Sequence, residues 1–364
     1  MKIKTITCHD VYNVGASLQA YALQRYLREL GHDVEIIDYK PEYLISHKLW
    51  GVGNSVYNKP ILRELYQIAK LPERIKNKYG KRKKLFDEFT KKYLLTTSKS
   101  YGSNEELKND LPEADVFFAG SDQIWNTFFN NGKDPAFYLD FVPETAIRAS
   151  YAASFATEDI VEEYEVKVKK WLNNLDYISV REASGVEIVK KLTSKKVVQV
   201  LDPVFLLDEK VWIELEREVR IAEPYVLIYD FDNNDELNQF AYEVAKQNKW
   251  KVYSFFKNHK CDKSFDKAGP REFLWLIRHA KFVVSNSFHA TAFSIIFQKQ
   301  FVVFNRKEAI NTRMRDLTKS LGIQMVKKNC TIEYQKVNEQ RKKYVECSKK
   351  YIEQVLEAKG KNDD

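Results

Sequence analysis

Cysteine is sparse in this chain of 364 residues: only Cys8, Cys261, Cys330 and Cys347 occur, and no two stand in a C-x-x-C pair. That spacing excludes a metal pair of the usual kind and predicts four ordinary reduced thiols. Long apolar runs are missing too. The longest, such as Val116 to Gly120 and Ser294 to Phe297, fall far short of the roughly 18 residues that span a bilayer. The opening Met1-Lys2-Ile3-Lys4-Thr5 has no apolar signal-peptide core and runs straight into a strand pattern, so the expected location is the cytoplasm. Glycine is scarce where nucleotides would need it. The turn Asp10-Val11-Tyr12-Asn13-Val14-Gly15-Ala16-Ser17 holds one glycine, which disfavours a P-loop or a dinucleotide fingerprint, and with them ATP and NAD.

The composition that remains is that of a globule, with 44% hydrophobic and 30% charged residues and no degenerate stretch. At about 150 residues per domain the length predicts two domains. Lys and Arg number 59 against 51 Asp and Glu. The resulting charge of +8 suits an acidic substrate, an anionic membrane surface or nucleic acid, in no order that composition sets.

The first forty residues read as β-α-β: a strand from Ile3 to Cys8, a helix from about Ser17 to Leu30 ended by Gly31, and a strand from Val34 to Tyr39. Such crossovers join parallel strands. From about residue 41 to 93 the strand signal vanishes. Between Lys70 and Lys92 ten basic residues face only Glu73, Asp87 and Glu88, which reads as a solvated helical pair or as a surface for anionic lipid head groups. Strand patterns return at 115–119, 148–153, 177–180 and 197–201, and after Pro224 the alternation repeats through strands at 225–229, 252–256, 282–285 and 301–304. The expected organisation is an N-terminal Rossmann-like acceptor domain over 1–220, a C-terminal Rossmann-like donor domain over 221–328, and a closing helix and tail over 329–364. Two open parallel sheets place a ligand cleft at the carboxyl ends of their strands.

The strand-to-helix turns are therefore where chemistry is expected. Ser285-Asn286-Ser287-Phe288-His289-Ala290 puts His289 at a helix N-terminus, where backbone donors and the helix dipole attract anions. No Asp or Glu lies between Glu272 and Glu308, whereas Arg278, His279, Lys281, His289, Lys299, Arg306 and Lys307 fall within that window. This reads as a binding site for a small, highly charged anion and reads poorly as a metal centre. The alternative is a capped helix with a structural histidine.

Across the cleft, Gly15 lets the backbone approach a ligand and Ser17 can cap a helix. Gly120-Ser121-Asp122-Gln123-Ile124-Trp125-Asn126 gathers amide, carboxylate and aromatic groups suited to a sugar, or else caps around a core Trp125. Ser154 sits in a turn of small residues, and Arg181 at a strand end could fork a carboxylate or phosphate or simply pair with Glu182 or Asp202.

Read in order, Asn13-x-Gly15-Ala16, Gly120-Ser121-Asp122-Gln123-Ile124-Trp125-Asn126, Tyr151-Ala152-Ala153-Ser154-Phe155, Ser179-Val180-Arg181-Glu182, Leu201-Asp202-Pro203 and Ser287-Phe288-His289 resemble the polysaccharide pyruvyl transferase family, over about residues 3 to 320. The resemblance implies an α/β fold of two Rossmann-like domains with a central cleft, similar to GT-B glycosyltransferases, plus a C-terminal helix. It implies phosphoenolpyruvate as co-substrate with no further cofactor, and a glycan acceptor, of the lipid-linked kind, that receives a pyruvate ketal during surface polysaccharide biosynthesis. Its donor-binding arginine falls on Arg181 and its catalytic histidine on His289. Asn286, Ser287 and Phe288 then belong to the donor site, Asp122 is a candidate acceptor base, and Asn13, Gly15, Ser121, Gln123, Trp125 and Ser154 are candidate acceptor contacts. Many relatives carry Arg-Leu-His where this chain has Ser287-Phe288-His289. The lost phosphate contact is expected from Arg306, Lys307 or Arg313.

Two other classes remain. A GT-B nucleotide-sugar glycosyltransferase shares the architecture but commonly needs a carboxylate in the second domain for the ribose. A non-enzymatic RNA- or lipid-binding protein would rely on the segment from Lys70 to Lys92. No RNA-recognition aromatic signature accompanies that segment, so nucleic acid is not an expected partner, whereas peripheral contact with the inner face of an anionic membrane is.

Overall fold

The computed structural model describes residues 1–44, 80–308, 310–323 and 331–360. In the first lobe, strand β1 (Lys2–Ile6) lies between β2 (Asp33–Tyr39) and β4 (Val116–Ala119), with β3 (Thr96–Tyr101) and β5 (Ile147–Ser150) outside them. All four pairings of this sheet are parallel. Ile3, Ile6 and every residue of β4 are buried, as expected for strands covered on both faces. A short parallel pair, β6 (Ile178–Val180) and β7 (Val197–Gln199), continues beyond β5, where Ser150 N–H donates to the Tyr177 carbonyl.

Helix α1 (Val14–Glu29) starts three residues before the expected Ser17 because Asn13 is its cap: Asn13 Oδ1 accepts from the N–H groups of Gly15 at 2.9 Å and Ala16 at 3.4 Å. Gly31, at φ +87°, ends that turn. Most of the basic excursion expected over 41–93 lies outside the described residues; its end is helix α2 (Lys81–Tyr93), which buries Phe86 and Phe89. The polar strand β3 escaped sequence reading because it is a sheet edge, exposed at three of its six positions. The strand expected to reach Ala153 stops at Ser150, since Ala152 turns into the left-handed region at φ +51°.

Helices α3 (Asn104–Asn109), α4 (Glu165–Asn174), α5 (Ala183–Leu192) and α6 (Glu209–Leu215) complete the first half. In the second lobe β8 (Tyr225–Tyr229) and β11 (Phe282–Ser285) are central, flanked by β9 (Lys251–Ser254), β10 (Lys263–Ser264) and β12 (Gln300–Val303), again all parallel. Helices α7 (Asp235–Asn248), α8 (Pro270–His279) and α9 (Phe288–Ile296) connect these strands, and α10 (Thr312–Ser320) follows β12.

The closing helix α11 (Tyr334–Gly360) returns to the first lobe, where Tyr351 Oη donates to the Ser150 carbonyl at 2.8 Å and Ser348 Oγ accepts from Leu201 N–H at 2.9 Å. One apolar core runs through both lobes. The chain of rings Tyr21, Trp212 and Phe293, with centroids 5.8 and 4.9 Å apart, links α1 to α9 through α6. Each large apolar side chain buried there contributes roughly 1.5–3 kcal/mol, so the lobes are joined by packing as well as by chain. Among the described residues no helix is long and apolar enough to cross a membrane. Cys8, Cys261 and Cys347 are unpaired thiols, and Cys330 lies outside the described residues.

Candidate active site

The carboxyl ends of β1, β4, β5, β6, β7, β11 and β12 bring their loops to one cleft, as open parallel sheets do. At its floor lies Asp202, fully buried, just after β7. Asp202 Oδ2 accepts from Arg181 Nη1 at 2.6 Å and Ser121 Oγ at 3.0 Å, and Oδ1 accepts from Val204 N–H at 3.1 Å. His289 Nε2 stands 3.6 Å from the same Oδ2, an electrostatic neighbour beyond hydrogen-bond range. Burial pushes the Asp202 carboxyl up, but the imidazole and the guanidinium outweigh it and hold the group well below the usual carboxylate range.

Arg181, at the end of β6, is buried with Glu182 Oε2 3.8 Å from Nε and Asp122 Oδ1 3.8 Å from Nη2. Its Cζ lies 4.1 Å from the ring centroid of Phe288, which belongs to the other lobe. Burial works against its charge, and Asp202, Glu182 and Asp122 more than offset that. Burial likewise pushes the Glu182 carboxyl up against Arg181, while Ser154 Oγ at 2.7 Å and Ala156 N–H at 2.8 Å donate to its Oε1.

Arg313, from α10, enters beside Arg181. Its Nη1 is 3.9 Å from Asp122 Oδ1, and the Gln123 amide, turned so that its oxygen faces the guanidinium, accepts at 3.2 and 3.3 Å. Burial and the neighbouring Arg181 push Arg313 down to about 10. Asp122 holds its place between the two arginines at φ +73°, and Ala156 at φ +62° is also left-handed, backbone strain of the kind functional sites store.

Several buried polar atoms of this cage have no hydrogen-bond partner among the described residues: Arg181 Nε and Nη2, Arg313 Nε, His289 Nε2 and Glu182 Oε2. Each such group costs about 1–3 kcal/mol unless something satisfies it. Four of the five are nitrogens on basic side chains, a set suited to a small multidentate anion. Among the described residues no three His, Cys, Asp or Glu side chains converge to hold a metal ion.

The remaining sequence candidates separate. Ser287 caps α9, its Oγ accepting from Ala290 N–H at 3.4 Å, and Gly15 faces His289 so closely that a Cβ there would lie 2.0 Å from Nδ1. Asn13 serves as the α1 cap, and Ser121 and Ser154 orient the carboxylates of Asp202 and Glu182. The window lacking carboxylates in sequence gains them in space. Asn286 Nδ2 donates to Asp230 Oδ1 at 2.6 Å, Arg306 Nε lies 3.0 Å from both oxygens of Asp232, and Lys307 N–H donates to Asp232 Oδ2 at 3.0 Å. Those three residues thus form a loop lock beside the cage. Trp125 is in the core: its Nε1 donates to the Phe137 carbonyl at 2.9 Å and its ring stacks on Tyr138, so it offers no open face to a sugar. Asp202 and Glu182 show themselves in the sequence as possible partners of Arg181 and as members of the motifs Leu201-Asp202-Pro203 and Ser179-Val180-Arg181-Glu182, with no local sign that they anchor the cage.

Two Rossmann-like lobes closing over a buried cage of arginine, histidine and carboxylate define an α/β protein of GT-B type. A profile of the polysaccharide pyruvyl transferase family matches residues 13–308, and the chain belongs to that family. It is therefore one of a family of transferases acting on polysaccharides. Among solved structures it is similar to a Listeria monocytogenes protein provisionally assigned as a UDP-N-acetylglucosamine 2-epimerase, with a TM-score of 0.53 and 7% identity over 98% of this chain and 90% of that one. The UDP-GlcNAc 2-epimerase of Methanocaldococcus jannaschii gives a TM-score of 0.50 and 14% identity over 95% of this chain and 92% of that one. At such identities the likeness is one of fold. Comparison with curated protein sequences found no match.

Proposed function

We propose that this chain moves the pyruvyl group of phosphoenolpyruvate onto two hydroxyls of a glycan sugar, forming a pyruvate ketal and releasing inorganic phosphate. The observation that carries this reading is the set of unmatched, buried nitrogens on Arg181, Arg313 and His289. Phosphoenolpyruvate bears a carboxylate and a phosphate, two groups that two adjacent guanidinium forks would hold separately. Arg313 then supplies the contact that Ser287 cannot.

In the proposed sequence the methylene carbon takes a proton, a first sugar hydroxyl attacks the central carbon, phosphate leaves, and a second hydroxyl closes the ring. The two hydroxyl protons end on the new methyl group and on phosphate. His289 is the group that delivers or removes a proton, with the Asp202 carboxylate 3.6 Å from its Nε2, and Asp122 is the candidate base for the acceptor. The acceptor is proposed to be a lipid-linked oligosaccharide met at the inner face of an anionic membrane.

Incubation with labelled phosphoenolpyruvate and candidate lipid-linked or nitrophenyl sugars is expected to give the ketal mass increment. Phosphoenolpyruvate at about a hundred times its Kd should also stabilise the fold by about 2.7 kcal/mol, read as a rise in Tm. No product and no rise, with stabilisation by a sugar nucleotide instead, would overturn the reading.

A further inference from the structure

A cavity of about 820 Å³ opens between the lobes, within the range of roughly 300–1,000 Å³ that small-molecule sites occupy. Its walls are the loops after β4, β5 and β12 and the start of α10. It adjoins the cage: Thr312 on its wall precedes Arg313, and Asn126 belongs to the same turn as Asp122.

Two neighbouring aromatic rings face it with much of their surface open, Phe128 at 59% exposure and Phe129 at 41%. The turn presenting them is fixed, since Asn126 accepts from Phe128 N–H at 3.1 Å through its side chain and from Phe129 N–H at 3.0 Å through its carbonyl. An open apolar surface rimmed by polar groups marks a ligand groove rather than chance exposure.

The rim has its own chemistry. Its three carboxylates are each ion-paired, Glu158 with Arg315, which reaches across the cleft to it at 2.6 Å, Asp159 with Lys191 at 3.7 Å and Glu308 with Arg306 at 3.0 Å, and the amides of Asn305 and Asn311 lie among them. Such a wall offers a phosphate or a nucleic acid cations already engaged by carboxylates, and it leaves a purely apolar ligand facing polar groups. It matches a neutral ring with one apolar face and many hydroxyl donors.

We infer that this cavity binds the acceptor sugar, Phe128 and Phe129 stacking against its apolar face while the carboxylates and amides of the rim take its hydroxyls. The inference rests on the transfer reaction proposed above and specifies its second substrate site: a polar, aromatic pocket at the mouth for the neutral sugar, a cationic cage behind it for the anionic donor. The platform expected at Trp125 is thus supplied three and four residues later.

The test uses the full chain and a panel of neutral methyl hexosides and disaccharides, with binding read by saturation-transfer NMR and phosphoenolpyruvate binding read separately by calorimetry. At least one sugar is expected to bind the native protein. The Phe128→Ala/Phe129→Ala variant should weaken it by about tenfold or more, the loss of two ring contacts of about 0.5–1.5 kcal/mol each, and leave the Kd for phosphoenolpyruvate unchanged. Phe128→Tyr/Phe129→Tyr, which keeps both faces, should retain binding. Unchanged sugar affinity in the alanine variant overturns the inference, as does a native protein that binds phosphoenolpyruvate but no sugar of the panel. Sugar binding that depends on the two rings, with no phosphoenolpyruvate binding, would leave this site standing and overturn the transfer reaction instead.

Discussion

At Asp202 one buried carboxylate serves Arg181, Ser121 and the start of a short turn, with His289 3.6 Å away. Its folded pKa lies below the unfolded value of about 3.9, so its stabilisation is fully present above that pH and is lost as pH falls toward the folded value. Replacing it by Asn strands the Arg181 charge in the interior, which costs about 3–5 kcal/mol. Asp202→Asn is therefore expected to unfold at much lower urea than the native chain at pH 7, and the gap should narrow as pH drops below about 4. A gap that is constant from pH 7 to 3 would show that the carboxylate is not what holds the guanidinium.

Helices α1 and α9 set the geometry of His289, the residue proposed to move the proton. Their first turns meet across the lobes at Gly15 and His289, and the missing Cβ of Gly15 is what lets the imidazole sit there. Gly15→Ala should raise the helical propensity of α1 while driving His289 out of line. Turnover in the pyruvyl transfer assay is expected to fall by roughly a hundredfold, as in His289→Ala, and the double variant should lose no more than either alone. Native turnover in Gly15→Ala would sink this account.

Across the whole molecule, the lobes are clasped by Arg82 as well as by the shared core. Its guanidinium lies 5.0, 5.3 and 5.7 Å from the ring centroids of Phe86, Phe255 and Phe256, and donates to the carbonyls of Ala268 at 3.0 Å and Tyr12 at 3.4 Å. Burial pushes this arginine down from its ordinary value, so its attachment to rings and carbonyls is what compensates its charge. Arg82→Ala is expected to lower stability by about 2 kcal/mol and to enlarge the radius of gyration in solution scattering. Unaltered scattering and Tm would mean that the apolar core alone joins the lobes.

The sequence by itself determined the two α/β halves, the cap at Ser287 and the strand-end turns, because periodicity and turn chemistry are local; at the first helix the cap is Asn13 rather than the expected Ser17. It also brought Arg181, His289 and Asp122 forward, since each follows a strand. Only the tertiary structure decided which charges meet. Asp230 and Asp232 reach Arg306 and Asn286 from a distant strand, Arg313 rather than Arg306 joins the cage, and Trp125 turns inward while Phe128 and Phe129 turn out. A carboxylate-free window says nothing of carboxylates brought to it by folding, and an aromatic residue in a turn has no local property that fixes which side of the loop the core will occupy.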